Sequence, residues 1–247
     1  MSNKVYIVGA GPGDPELITL KGLKVLSRAD VVLYDRLIPT ELLKYARRAE
    51  HIYVGKSPGK HTFSQQEIIK MMMEYYEKGL NVVRLHGGDP FLYGRGFEEV
   101  IELRKRGIRY EVIPGISSIY AVPERFEIPL VLRGVASSIG IATGTEDPHK
   151  GRKFVDFKKL ARAVDTLVIV MGSRNIVNIA RELVEAGLSE DTPVAILRAY
   201  LEPEIKIFKT LRELINDEIK IESPVIIVIG DVVKKSLEWY ESHITKV

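Results

Sequence analysis

Two α/β domains with a break near residue 115 are the architecture this chain predicts. Three observations carry the prediction. Short β-branched and aromatic runs alternate with stretches of helical period, and the alternation holds for five rounds. The rhythm is then broken by residues 114–123, Pro-Gly-Ile-Ser-Ser-Ile-Tyr-Ala-Val-Pro, a hinge-like junction without the charged composition of a flexible tether. Beyond it, residues 197–210 hold two strands with only a short turn between them, and strands so joined must run antiparallel. The expected domains are therefore residues 1–115, with a mostly parallel sheet, and residues 116–247, with a mixed one.

Taken in order, residues 5–8 read as a strand, and the loop Gly9-Ala-Gly-Pro-Gly-Asp-Pro15 follows it. Leu17, Leu20, Leu23, Val25 and Leu26 then recur at helical spacing. A second strand over 30–34 ends at Asp35-Arg36-Leu37, and a short helix over 39–46 has Pro39 near its start. The third strand, 51–54, runs into Gly55-Lys56. Ser64 and Glu67 have capping-box spacing and open a helix to about Lys78. Met71, Met72 and Met73 lie on it; adjacent residues cannot share one helix face, so they read as core filler and part of a subunit contact. A buried strand over 81–85 precedes the loop His86-Gly-Gly-Asp-Pro-Phe-Leu-Tyr-Gly-Arg95, which leads into a helix over 98–106 and a strand over 110–113. The second half predicts strands at 138–143, 166–171, 193–197, 205–210 and 225–230, and a helix over 176–186 closed by Gly187. In the tail, Val233, Leu237 and Tyr240 share a helical face expected to pack on the second domain or on a partner subunit.

Composition excludes several classes. The 247 residues include no cysteine, which removes disulfides, thiolate metal sites and cysteine nucleophiles and is compatible with a reducing cytoplasm. No run of 18 apolar residues exists and the chain enters its first strand without an apolar leader, so a soluble, cytoplasmic protein is expected. A net charge of +3 with 28% charged residues does not demand nucleic acid but leaves room for a local basic cleft.

Two glycine-rich loops carry the chemistry. The first invites a dinucleotide reading, Gly-x-Gly-x-x-Gly with backbone amides facing a pyrophosphate. Gly9 and Gly11 fit, but Asp14 occupies the third glycine position and Pro12 removes an amide. A carboxylate and a missing donor are wrong for an anion and suit a cationic or hydroxyl-bearing ligand, such as the sulfonium, amino group and ribose of S-adenosylmethionine. In the second loop Gly87 and Gly88 permit backbone angles that side chains forbid, and Pro90 fixes the chain after Asp89, so a ligand could approach the main chain closely. A nicotinamide oxidoreductase stays as the remote alternative.

These loops, with Tyr-Asp-Arg-Leu at 34–37, Val-Gly-Lys at 54–56, Pro-Gly-Ile at 114–116, Ile-Pro-Leu at 128–130 and Met-Gly at 171–172, resemble the tetrapyrrole methylases over nearly the whole chain. Tyr-Asp-Arg-Leu and Val-Gly-Lys point within that family to its uroporphyrinogen branch, with the later precorrin methylases as the rival. The resemblance implies a two-domain homodimer, with the methyl donor S-adenosyl-L-methionine folded in the cleft between domains and S-adenosyl-L-homocysteine as its product. It implies transfer of two methyls to carbons 2 and 7 of uroporphyrinogen III, giving precorrin-2 for siroheme and cobalamin. Matched to the family's motifs, the donor contacts fall on Pro12, Gly87, Gly88, Asp89, Leu92, Ser117, Ser118, Met171 and Tyr200, and the general base and acid on Asp35 and Lys56.

The residues fit that chemistry, since a pyrrole carbon becomes nucleophilic when its ring nitrogen donates electrons, so that a group to take a proton and one to return it are useful, and each contributes about 10²-fold to 10⁴-fold. A substrate with eight carboxylates calls for arginines, and Arg36, Arg84, Arg95 and Arg133 are the candidates. Read alone, each residue also fits a bland role: Asp35 a helix N-cap, Lys56 a surface charge, each arginine a solvated or structural one. The chain departs from the family pattern at His86, where lysine is usual, and at Ser117-Ser118, where Thr-Ala is usual. It departs also at Thr145, where histidine is common, and at Val131-Leu132, where Thr-His precedes the arginine. These departures touch the grip on substrate more than the donor site.

Overall fold

The computed structural model describes residues 3–55, 63–146, 154–217 and 220–244. Lys56, His61 and His149 lie outside the described residues. The chain divides into two compact units, Met1–Ser118 and Ile119–Val247.

In the first unit, β1 (Val5–Gly9), β2 (Val31–Tyr34), β3 (Glu50–Tyr53), β4 (Val82–His86) and β5 (Tyr110–Ile113) form a sheet in the order β3-β2-β4-β1-β5, with every pairing parallel. Both faces are covered, which is why β1 and β2 carry no charged residue. On one face lie α2 (Gln65–Glu77) and α3 (Gly96–Lys105), whose Ile68, Met72, Val100 and Leu103 pack on Val5, Ile7, Val31 and Val82. On the other, α1 (Leu20–Leu26) and a 3₁₀ helix (Thr40–Ala46) bring Leu26 and Leu42 against Val8, Val32, Val83 and Leu85. Each fully buried aliphatic side chain contributes about 1.5–3 kcal/mol. Strand alternation therefore turns Val82, Arg84 and His86 toward α2 and α3, and Val83 and Leu85 away from them.

The adjacent strands β1 and β4 send their connections to opposite faces and opposite sides. Such a crossing is the topological switch point at whose carboxyl ends open α/β sheets bind ligands.

The second unit holds β6 (Ile139–Thr143), β7 (Thr166–Val170), β8 (Pro193–Arg198), β9 (Ile205–Thr210) and β10 (Ile226–Ile229) in the order β6-β7-β10-β8-β9. Only β6 and β7 pair in parallel; the remaining pairs are antiparallel, so the sheet is mixed. One face is covered by α5 (Phe157–Ala163), α6 (Ile176–Glu185) and α7 (Leu211–Asn216), through Phe157, Ile179, Leu183 and Leu214. The other carries α4 (Ser118–Arg125) and α8 (Asp231–Ile244), the latter seating Val232, Val233 and Leu237 on its own unit.

Several expectations need adjustment. Residues 39–46 form a 3₁₀ helix with Pro39 as its N-cap, not an α-helix. Asp14 caps a separate single turn, Pro15–Leu17, accepting the Glu16 N–H at 2.8 Å, so the first α-helix starts only at Leu20. The junction expected at 114–123 runs into α4 from Ser118 onward, a helix that the sequence pattern hides because Pro123 lies inside it. The short α5 and α7 were missed as well, although Thr210 and Glu213 form a full capping box. Met72 and Met73 are buried in the first unit's core and Met71 packs at its margin.

Candidate active site

The two glycine loops meet at the carboxyl ends of β1 and β4. Gly11 donates to the Gly88 carbonyl at 3.3 Å and Gly88 donates back to the Gly11 carbonyl at 2.7 Å. Gly115, just past β5, closes the group. A Cβ on Gly9 would lie 2.5 Å from the Gly115 Cα and 2.6 Å from the Gly88 oxygen, so the three loops interlock through bare backbone. Asp89 ties them together, its Oδ2 accepting from the Gly115 N–H at 3.1 Å and its Oδ1 from the Phe91 N–H at 2.8 Å.

Gly87 and Gly88 differ from these packed glycines. Among the described residues a Cβ at Gly87 would meet only the Leu37 Cβ, at 3.5 Å, and one at Gly88 would find its nearest neighbour, the Ser117 Cα, at 3.8 Å. Gly88 also sits at φ +65, a region that favours glycine. Half-buried main chain beside uncrowded space is the cradle that a ligand lying against the backbone requires. Buried Pro12, which offers no N–H, and half-buried Ser118 flank these loops in sequence, as does buried Ser117. Leu92 is exposed on the loop after β4.

A cavity of about 360 Å³ opens beside that cradle, lined by Asp35, Arg36, Gly87, Tyr93, Arg95 and their neighbours. The structure thus brings together the expected base, three of the expected arginines, Arg36, Arg84 and Arg95, and one of the expected donor contacts. Arg36 is exposed, and Arg95 is exposed with its guanidinium doubly bonded to Glu98 at 3.1 and 2.6 Å. The Glu98 hydrogen bonds raise the Arg95 pKa above its ordinary value, leaving it a permanent cation. Arg133 lies in the second unit, exposed in a turn closed by the Leu132–Ala136 bridge.

Arg84 lines the same cavity but is also paired inside the protein. It is buried, and its guanidinium is committed to the protein: Nη2 donates to Asp35 Oδ2 at 2.7 Å, Nε to Glu99 Oε1 at 3.2 Å and Nη1 to the Leu85 carbonyl at 2.9 Å. Strand alternation is the reason, because an arginine at this position of β4 must point at α3. Glu99 is fully buried and also accepts from Gln65 Nε2 at 2.8 Å, while His86 Nε2 sits 2.8 Å from its other oxygen. Burial alone would raise the Glu99 carboxyl, but the His86 hydrogen bond, the charges of His86 and Arg84 and the Gln65 amide outweigh it and hold the carboxyl below its ordinary value. An ionised Glu99 only accepts, so His86 Nε2 is the donor. This network was not foreseen. A signal existed, because Glu99 falls in phase with Gly96, Val100 and Leu103 on the buried stripe of α3, where an acid is out of place.

In the second unit, β6, β7 and β8 run the same way, and their carboxyl ends place Thr145, Met171 and Tyr200 along one sheet edge. Thr145 Oγ1 donates to the Met171 carbonyl at 2.7 Å, and the Tyr200 hydroxyl to the Ala121 carbonyl at 3.4 Å. Met171 and Tyr200 hold φ of 53 and 63, and Tyr93 and Arg95 in the first unit both hold 60. Non-glycine residues kept in the left-handed region cost about 1–3 kcal/mol each and gather at ligand-binding sites. Four of the five such residues described here stand at the edges just defined.

Residues 4–215 match the family model of the tetrapyrrole (corrin/porphyrin) methylases. The chain is 50% identical over 238 residues to a uroporphyrinogen-III C-methyltransferase of Methanocaldococcus jannaschii, covering 94% of this chain and 98% of that one. It is 45% identical over 250 residues to one of Bacillus subtilis, covering 98% and 96%. Among solved structures it resembles a uroporphyrin-III C-methyltransferase of Thermus thermophilus complexed with S-adenosyl homocysteine, with TM-score 0.80 and 36% identity over 94% of each chain.

Proposed function

Because the chain belongs to the tetrapyrrole methylase family, we infer that it transfers methyl groups from S-adenosylmethionine to carbons 2 and 7 of uroporphyrinogen III, yielding precorrin-2. The observation that carries the reading is the cavity at the switch point, where Asp35, Arg36 and Arg95 stand beside Gly87 and the open main chain of its loop. The donor, when bound, supplies an electrophilic methyl carbon on a cationic sulfur. The chain's own residues do the rest. Gly87, Gly88, Pro12 and Asp89, with Leu92, Ser117 and Ser118, are proposed to line the donor in the first unit, and Met171 and Tyr200 in the second. Asp35 takes the proton of the pyrrole N–H, so that the ring carbon gains the electron density to form the new bond. Lys56 is proposed as the acid. Arg36 and Arg95 grip the acidic side arms of the ring, and Arg133 is the candidate from the second unit. The proposed assembly is a homodimer in the cytoplasm; among the described residues no helix is long and apolar enough to cross a membrane.

Anaerobic incubation with S-adenosylmethionine and uroporphyrinogen III tests this by product mass and absorbance. Two methyl groups should be gained by the wild type, and Asp35→Asn should lower turnover by about 10²-fold or more. Clear binding of S-adenosylhomocysteine without methyl gain on uroporphyrinogen III would overturn the substrate assignment in favour of a later precorrin.

A further inference from the structure

Arg84 joins two carboxylates that differ in everything but charge. Glu99 is wholly buried in the first turn of α3 and fixed by Gln65 from α2 and by His86 from the end of β4. Asp35 stands just past β2, and its side chain is 33% exposed. The hydrogen bonds therefore run from three regular elements, through one guanidinium, to a single oxygen of a residue in a turn. Among the described residues nothing donates to Asp35 Oδ1. A guanidinium spans two carboxylates because its donors diverge in a rigid plane; the single ammonium of lysine cannot reach both in that geometry.

We propose that Arg84 is a positioning residue for the methyl transfer: clamped by Glu99, it fixes Asp35 through Oδ2 and leaves Oδ1 as the oxygen that takes the pyrrole proton. In that step the N–H bond breaks, its proton passes to Oδ1, and the electron pair moves through the ring to the carbon that bonds the methyl. The carbon–sulfur bond breaks with its pair left on sulfur. Glu99 serves the step by holding Arg84, and Gln65 and His86 serve it by holding Glu99. The inference rests on Asp35 being the base.

A double-mutant cycle decides it, with single turnover, kcat and KM for uroporphyrinogen III measured for the wild type, Asp35→Asn, Arg84→Lys and the double variant. The expected result is a fall in kcat of about tenfold for Arg84→Lys with KM nearly unchanged. S-adenosylhomocysteine affinity should stay within about twofold by calorimetry. The double variant should be no slower than Asp35→Asn alone, because a residue acting through Asp35 has nothing left to position. Losses that multiply in the double variant, or an unchanged kcat in Arg84→Lys, would overturn the inference while leaving Asp35 as the base. Wild-type turnover in Asp35→Asn would instead remove the base assignment, and the inference with it. Should Arg84→Lys fail to fold, Glu99→Gln takes its place in the cycle, loosening the clamp without emptying its volume.

Discussion

At the scale of single residues, Glu99 shows how one buried acid ties stability to pH. Its folded carboxyl lies below its ordinary value, so the folded chain binds fewer protons there than the unfolded one. Its contribution is complete above the unfolded value of about 4.3 and is lost as pH falls through that value toward the lower folded one. Glu99→Gln is therefore expected to cost about 2 kcal/mol near neutral pH, since Arg84 loses a buried charge partner. The gap between variant and wild type should close as pH is lowered through the carboxylate range. Urea unfolding at a series of pH values measures this, and a gap that stays constant would show that the carboxyl does not titrate differently on folding. Asp89 is the converse case: both of its oxygens accept backbone N–H groups, so its carboxylate shapes the loop that the donor is proposed to meet.

At the scale of elements, the glycine loops divide into two kinds with opposite mutational signatures. A Cβ on Gly115 would collide with the Gly88 oxygen and lie 2.7 Å from the Gly9 Cα, so Gly115→Ala forces the ends of β1, β4 and β5 apart. A loss of about 1–3 kcal/mol is expected in thermal or denaturant unfolding. Among the described residues the Leu37 Cβ at 3.5 Å is the one neighbour a Cβ at Gly87 would meet, so Gly87→Ala should leave stability within about 0.5 kcal/mol. Yet its methyl enters the cradle, and affinity for S-adenosylhomocysteine should fall. Equal effects of the two substitutions on stability, or no effect of Gly87→Ala on binding, would contradict the assignment of the cradle.

At the scale of the whole molecule, the proposed homodimer predicts a light-scattering mass of two chains; a mass of one chain at assay concentrations would remove it. Large apolar side chains stand exposed on each unit, Phe91, Phe97 and Ile101 on the first and Val131, Ile139 and Trp239 on the second, and a second copy would cover such surface. By itself the sequence determined the two α/β units, the parallel and mixed sheets and the glycine loops. These follow from periodicity and from residues whose backbone freedom is local, such as Gly88 and Pro12. Short elements escaped it: α4 hid behind Pro123, and α5 and α7 span too few turns for a period to show. The family motifs marked Asp35 without saying what holds it. That was decided only by tertiary structure, which pairs Arg84, an expected substrate contact, with Asp35. The physical reason is that strand phase fixes the face to which Arg84 and His86 point, whereas the partners on that face, Glu99 and Gln65, arrive from two helices that only the folded chain brings together.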